Sequence, residues 1–145
     1  MKIWIVLVAA SLSLSGCLSG GLDRPSPGAQ AGAVADPKPG GAVASTIIAA
    51  MNGGLIGGPI GEGLGNGDRR LALESEYRAL EYTPASESVT WQGRGDSGEV
   101  VVGQPYRVGS QNCRQFKHTV VVDGRTRSAR GTACRNPDGS WTPLS

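Results

Sequence analysis

Asp123-Gly124 stands between Val120-Val121-Val122 and Arg125-Thr126-Arg127. Asp-Gly flanked by β-formers is a strong signal for a two-residue type I′ turn, whose central residues both need positive φ. A turn that closes on Val122 and Arg125 fixes the register of both strands. In that register Cys113 and Cys134 stand directly opposite each other, nine residues out from the closing pair on each side. Alternating outward from a hydrogen-bonded closing pair, theirs is a non-hydrogen-bonded pair, with Cα atoms only ~4.5 Å apart. That lies at the short end of what a disulfide accepts. Turn chemistry and cysteine register therefore agree on one disulfide-stapled hairpin. In the chain-entropy model a loop of this size stabilises the fold by roughly 3 kcal/mol.

The same register sorts side chains between faces, because strand positions alternate. Phe116, His118, Val120 and Val122 share one side with Ala129, Gly131 and Ala133, and Phe116 lies over Gly131. This side is expected to pack on a helix over 69–82 and on Trp91. The cysteines share the other side with Lys117, Thr119, Ser128, Arg130 and Thr132, a polar surface. His118 in a core-facing strand position reads as a structural residue rather than a general base.

Upstream of the hairpin, Leu73, Tyr77 and Leu80 recur at helical spacing, and Glu74 precedes Arg78 by four, the favourable orientation. Asp68 reads as the N-cap, and Pro84 ends the helix near Tyr82. Glu74 and Glu76, two apart, read as solvated charge. Strands are expected at Ser88–Gln92, at Glu99–Val102 with a continuation near Tyr106–Val108, at Arg114–Val122 and Arg125–Ala133, and at a short Ser140–Leu144.

The 145 residues allow one modest domain with appendages, and 23 Gly and 9 Pro against 5% aromatics point to a segment poor in core-forming residues. Four zones follow. Residues 1–16 carry Lys2 and then the uncharged apolar run from Ile3 to Leu14, the length of a signal-peptide core and too short to span a bilayer. The run ends at Leu14-Ser15-Gly16-Cys17, which resembles the lipobox of bacterial lipoproteins. The resemblance implies a diacylglycerol on Cys17, cleavage before it and acylation of the new amino terminus. Because Leu18 follows the cysteine in place of the Asp that commonly retains such lipoproteins in the inner membrane, the resemblance points to the outer membrane. Residues 17–41 lack aromatics and periodicity and read as a disordered tether of roughly 25–30 Å reach.

Residues 42–67 hold one charge, Glu62, and a small residue every four positions: Ser45, Ala49, Gly53, Gly57, Gly61 and Gly65. Wound as a helix they form a smooth stripe opposite Ile47, Ile48, Met51, Leu55, Ile56 and Ile60. The expectation is a glycine-zipper helix that packs on itself, on an outer-membrane protein or shallowly in lipid. Pro59 and Glu62 favour the competing reading, a flexible apolar linker. Residues 68–145 form the domain.

Catalytic chemistry is thin. No HExxH, Walker A, GxSxG or paired-carboxylate pattern occurs. A zinc site on Cys113, Cys134 and His118, the only His, would need a fourth ligand at no recognisable spacing, and no cofactor is expected. Arg94-Gly95-Asp96 is the tripeptide integrins recognise, but it falls where a glycine-rich turn is expected. Charge is uneven: residues 107–135 carry seven cations against Asp123 alone, while 68–106 carry four cations against seven anions. Arg114, Lys117, Arg125, Arg127 and Arg130 are candidates to hold an acidic envelope polymer or protein face. A solvated sheet face is the alternative, and the export signal argues against nucleic acid.

Leu14–Cys17, the glycine stripe, DRRLALESEYRALEY at 68–82, VTW at 89–91, Cys113-Arg114-Gln115-Phe116 and GTACRNPDGSW at 131–141 together resemble the rickettsial 17 kDa surface antigen family. The resemblance implies an outer-membrane lipoprotein with a glycine-zipper segment before a small cysteine-bearing domain. It brings no catalytic residues to transfer. The expected fold class is α+β: N-terminal helices (glycine zipper and short amphipathic helix), then a small antiparallel sheet with one disulfide-stapled hairpin. The expected role is structural or interactive, without catalysis, at the outer membrane.

Overall fold

In the computed structural model, residues 43–144 are described; the signal segment, Cys17 and the tether lie outside them. The hairpin organises the rest. Its strands, β4 (Gln111–Val122) and β5 (Arg125–Arg135), join through Asp123 and Gly124 at φ 50° and 72°. Val122 pairs with Arg125 and Cys113 with Cys134. The two cysteines are disulfide-bonded at a Cα separation of 4.0 Å. Phe116 lies opposite Gly131, as the register requires.

The sheet extends on both sides of the hairpin and is antiparallel throughout. β1 (Ser88–Gln92) pairs with β2 (Ser97–Val102), β2 with β4, and β5 with β6 (Trp141–Leu144). β3 (Tyr106–Val108) pairs with β4 alone, beyond the end of β2. It is a separate strand rather than a continuation of β2, because Gly103 to Pro105 interrupt the edge and a proline cannot donate to a ladder.

The long helix, here α2, runs Asn66–Tyr82. Gly65 occupies the N-cap position without a side-chain bond, so Asp68 is not the cap; it sits in the first turn, where its charge still favours the helix dipole. Its Oδ1 accepts from the Arg94 backbone N–H at 3.4 Å. Leu73, Tyr77 and Leu80 are buried with Ala72 and Ala79. Tyr77, Ala79 and Leu80 pack with Val100, Val102 and Phe116 on the inner face of the sheet.

The expected class, α+β with N-terminal helices, is corrected by this architecture. Among the described residues a six-stranded sheet dominates and α2 is the only helix of seven residues or more. The glycine segment is not a zipper helix. Its helix, α1, covers only Ser45–Ala50 and is followed by two single 3₁₀ turns, Leu55–Gly57 and Pro59–Gly61. The chain leaves the helix at Asn52, Gly53 and Gly54, with φ of 47°, 85° and 54°. Glycine adopts those angles freely, so a run of glycines favours turning as much as winding. The apolar ridge nonetheless has a partner, this chain's own sheet. Val43, Ile47 and Met51 join the cluster around Phe116 and Trp141, and Ile56, Ile60 and Leu64 join Ala72, Trp91, Val120 and Val122. Ser45, Ala49, Gly57 and Gly65, four members of the expected stripe, face solvent.

Polar ties hold this segment down. Arg69 donates to the carbonyls of Ile56 and Gly61, both at 2.9 Å, and Arg70 to that of Val43 at 3.1 Å. No helix of the described residues is long and apolar enough to cross a membrane.

Candidate functional site

Glu76 is fully buried, which corrects the expectation of solvated charge. It lies three residues after Leu73 and four before Leu80, so the helical periodicity places it on the buried face. Glu74 is nearly buried too and bridges Arg70 at 2.9 Å and Arg78 at 3.6 Å. Opposite Glu76, the inner face of the sheet presents His118. The Nδ1 of His118 lies 2.7 Å from Glu76 Oε1, and the Trp91 indole N–H donates to His118 Nε2 at 2.9 Å. Indole N–H is only a donor, so Nε2 must be the accepting nitrogen. The single proton of the neutral ring therefore sits on Nδ1 and is donated to Glu76. The other carboxylate oxygen accepts from the Leu55 backbone N–H at 3.2 Å.

An acid–histidine pair is the orienting half of a catalytic triad. Here the position of a nucleophile is taken by an indole N–H, which has no lone pair to attack with. The pair is closed, and its work is to fasten three elements: α2 through Glu76, β4 through His118 and the glycine segment through Leu55. Gly54 makes room, since a Cβ there would collide with the Glu76 carboxylate. Burial pushes the Glu76 carboxyl above its ordinary value of 4.5, while His118, Leu55 and Ile56 pull the other way.

The cations singled out from sequence divide between the two faces. Arg114 is buried, which removes it from any exposed set. It donates to the carbonyls of Ala79 and Leu80 at 3.2 and 2.8 Å, capping the end of α2, and to that of Gly103. Arg127 donates to the Glu62 carbonyl at 2.7 Å. Arg135, also from the inner register, makes a two-pronged contact with Glu81, which the Trp141 indole N–H also reaches. Arg125 is exposed at the hairpin tip.

Lys117 and Arg130 remain, directly opposite each other on the outer face. Like charges in that relation destabilise a sheet by up to about 1 kcal/mol. Among the described residues neither makes an ion pair or a side-chain hydrogen bond; Glu99, the nearest carboxylate by register, faces Thr119 one row away. The row on the other side is Gln115 opposite Thr132, and the next is the disulfide. Ser86, Val101, Gln115, Lys117, Arg130 and Thr132 line a shallow groove of about 670 Å³. The sequence register already places Thr132 on the face of the two cations; Gln115, on the same register, and Ser86, ahead of β1, are added by the structure.

Arg94-Gly95-Asp96 occupies the β1–β2 turn. Asp96 Oδ1 accepts from the Asp123 backbone N–H at 3.4 Å and the Asp96 carbonyl from Gly93 at 2.8 Å, so this aspartate ties two hairpin turns together. Among the described residues no three of His, Cys, Asp and Glu gather to hold a metal. The disulfide and His118 lie on opposite faces of β4.

Residues 78–142 match the model of a family described as 17 kDa outer membrane surface antigen. The chain is similar to the 17 kDa surface antigen of Rickettsia bellii, at 37% identity over 97% of this chain and 94% of that protein. It is also similar to the 17 kDa surface antigens of Rickettsia felis and Rickettsia conorii. Those are 44% and 42% identical, each over 54% of this chain and 52% of the relative. No solved structure matches the chain.

Proposed function

The chain belongs to the 17 kDa surface antigen family, and from that premise we propose that it is a lipoprotein anchored in the outer membrane through Cys17, whose folded part is a non-catalytic interaction module of the cell envelope. Leu14-Ser15-Gly16-Cys17 supports the anchor, and several acyl chains at ~0.8 kcal/mol per buried CH₂ hold firmly to a bilayer. One observation carries the non-catalytic reading. The single histidine is sealed between Glu76 and Trp91, and the open groove is lined by polar donors, Gln115, Lys117, Arg130 and Thr132 among them.

The experiment is acyl labelling in cells with radioactive palmitate, followed by membrane fractionation. The native chain is expected to carry label and to sediment with outer membrane, and Cys17→Ser to lose both. A native chain that stays unlabelled and is released soluble contradicts the anchor.

A further inference from the structure

We propose that the groove around Lys117 and Arg130 is a binding site for a phosphate-bearing saccharide. The inference rests on reading the folded part as a non-catalytic envelope module and names its ligand class.

Charge gives the first half of the argument. Several cations of the described structure are matched: Arg70 and Arg78 by Glu74, Arg135 by Glu81, and Arg69, Arg114 and Arg127 by backbone carbonyls. Arg94, Arg107 and Arg125 are exposed singly in turns and edges, whereas one pair of cations is set face to face. Lys117 and Arg130 are placed face to face across β4 and β5 with no such partner among the described residues. An anion seated between them turns a repulsion into two attractions. The guanidinium offers a planar fork that fits two oxygens of a phosphate, and the ammonium adds a compact charge.

Shape and the neighbouring row give the second half. A groove of about 670 Å³ is far larger than a phosphate ion needs and lies in the range of small-molecule sites. Gln115 and Thr132 stand opposite each other on the next row of the same face, with Ser86 at the rim, and each can both donate to and accept from a hydroxyl. Val101, opposite Lys117, gives an apolar surface for the C–H face of a sugar ring. The disulfide on the following row fixes the hairpin frame in which both rows are held.

The test is calorimetric titration of the full chain in detergent with three probes: glucosamine 1-phosphate, inorganic phosphate and neutral N-acetylglucosamine. The sugar phosphate is expected to bind about tenfold tighter than either half, and the Lys117→Gln, Arg130→Gln double variant to lose about tenfold or more of that affinity. Gln115→Ala is expected to weaken the sugar phosphate and leave inorganic phosphate unchanged. Retention of the disulfide and of the native circular dichroism shows that each variant folds. Equal binding of inorganic phosphate, binding unaffected by the double variant, or a preference for anionic phospholipid vesicles over the sugar phosphate overturns the proposal. Those outcomes leave the anchor standing, because the anchor is read from acylation of Cys17.

Discussion

At the scale of single residues, Glu76, His118 and Trp91 decide most. Each polar atom in this buried chain has one assigned role, so a change at one leaves another unsatisfied. Trp91→Phe keeps much of the ring volume but removes the donor to His118, and is expected to cost about 1–3 kcal/mol in urea denaturation. Because burial raises the Glu76 carboxyl above 4.5, the folded state holds that proton more tightly than the unfolded chain does. The stability this contributes is whole below 4.5 and is lost as pH rises through the raised folded value. The stability of the native chain relative to Glu76→Gln is therefore expected to be greatest below 4.5 and to decline as pH rises through the raised folded value. A flat difference across that range contradicts the assignment. Lys117→Gln relieves the facing charges and is expected to raise stability by a few tenths of a kcal/mol at low salt, an effect that fades as salt is added.

At the scale of elements, the sheet and the helix end were legible and the glycine segment was not. The Asp-Gly turn, the alternation along β4 and the proline after Tyr82 are local signals, and each encodes its geometry within a few residues. Glu76 was legible as well, from its place between Leu73 and Leu80, had the periodicity been weighed above the charge. Arg114 was not, since its partners on Ala79 and Leu80 lie more than thirty residues away along the chain. A period of four in small residues describes a stripe only if the backbone is helical, and glycine leaves that open. Substitutions separate the two arrangements. Gly54 holds φ 54° against the Glu76 carboxylate, so Gly54→Val is expected to destabilise by about 2 kcal/mol or more. Gly57 faces solvent, and a Cβ there would meet nothing nearer than the Asn52 carbonyl oxygen at 3.9 Å, so Gly57→Leu is expected to fall within about 0.5 kcal/mol of the native chain. A zipper would reverse that order, because Gly57 would then lie in the packed stripe. Reduction of Cys113–Cys134 is expected to lower stability by roughly 3 kcal/mol, read as a shift in the urea midpoint.

At the scale of the whole molecule, the sheet has one covered face and one open face, and the glycine segment helps to cover the first. The proposed division of labour gives binding to the open face and support to the glycine segment. Site-specific photocrosslinking in intact cells tests this most directly, with the photoreactive residue placed at Ser128, exposed on the outer face beside the groove, or at Gly57 in the segment. Envelope adducts are expected from position 128 and none from position 57. A ladder of self-adducts from position 57, with nothing captured from position 128, contradicts that division and returns the segment to an oligomerising role.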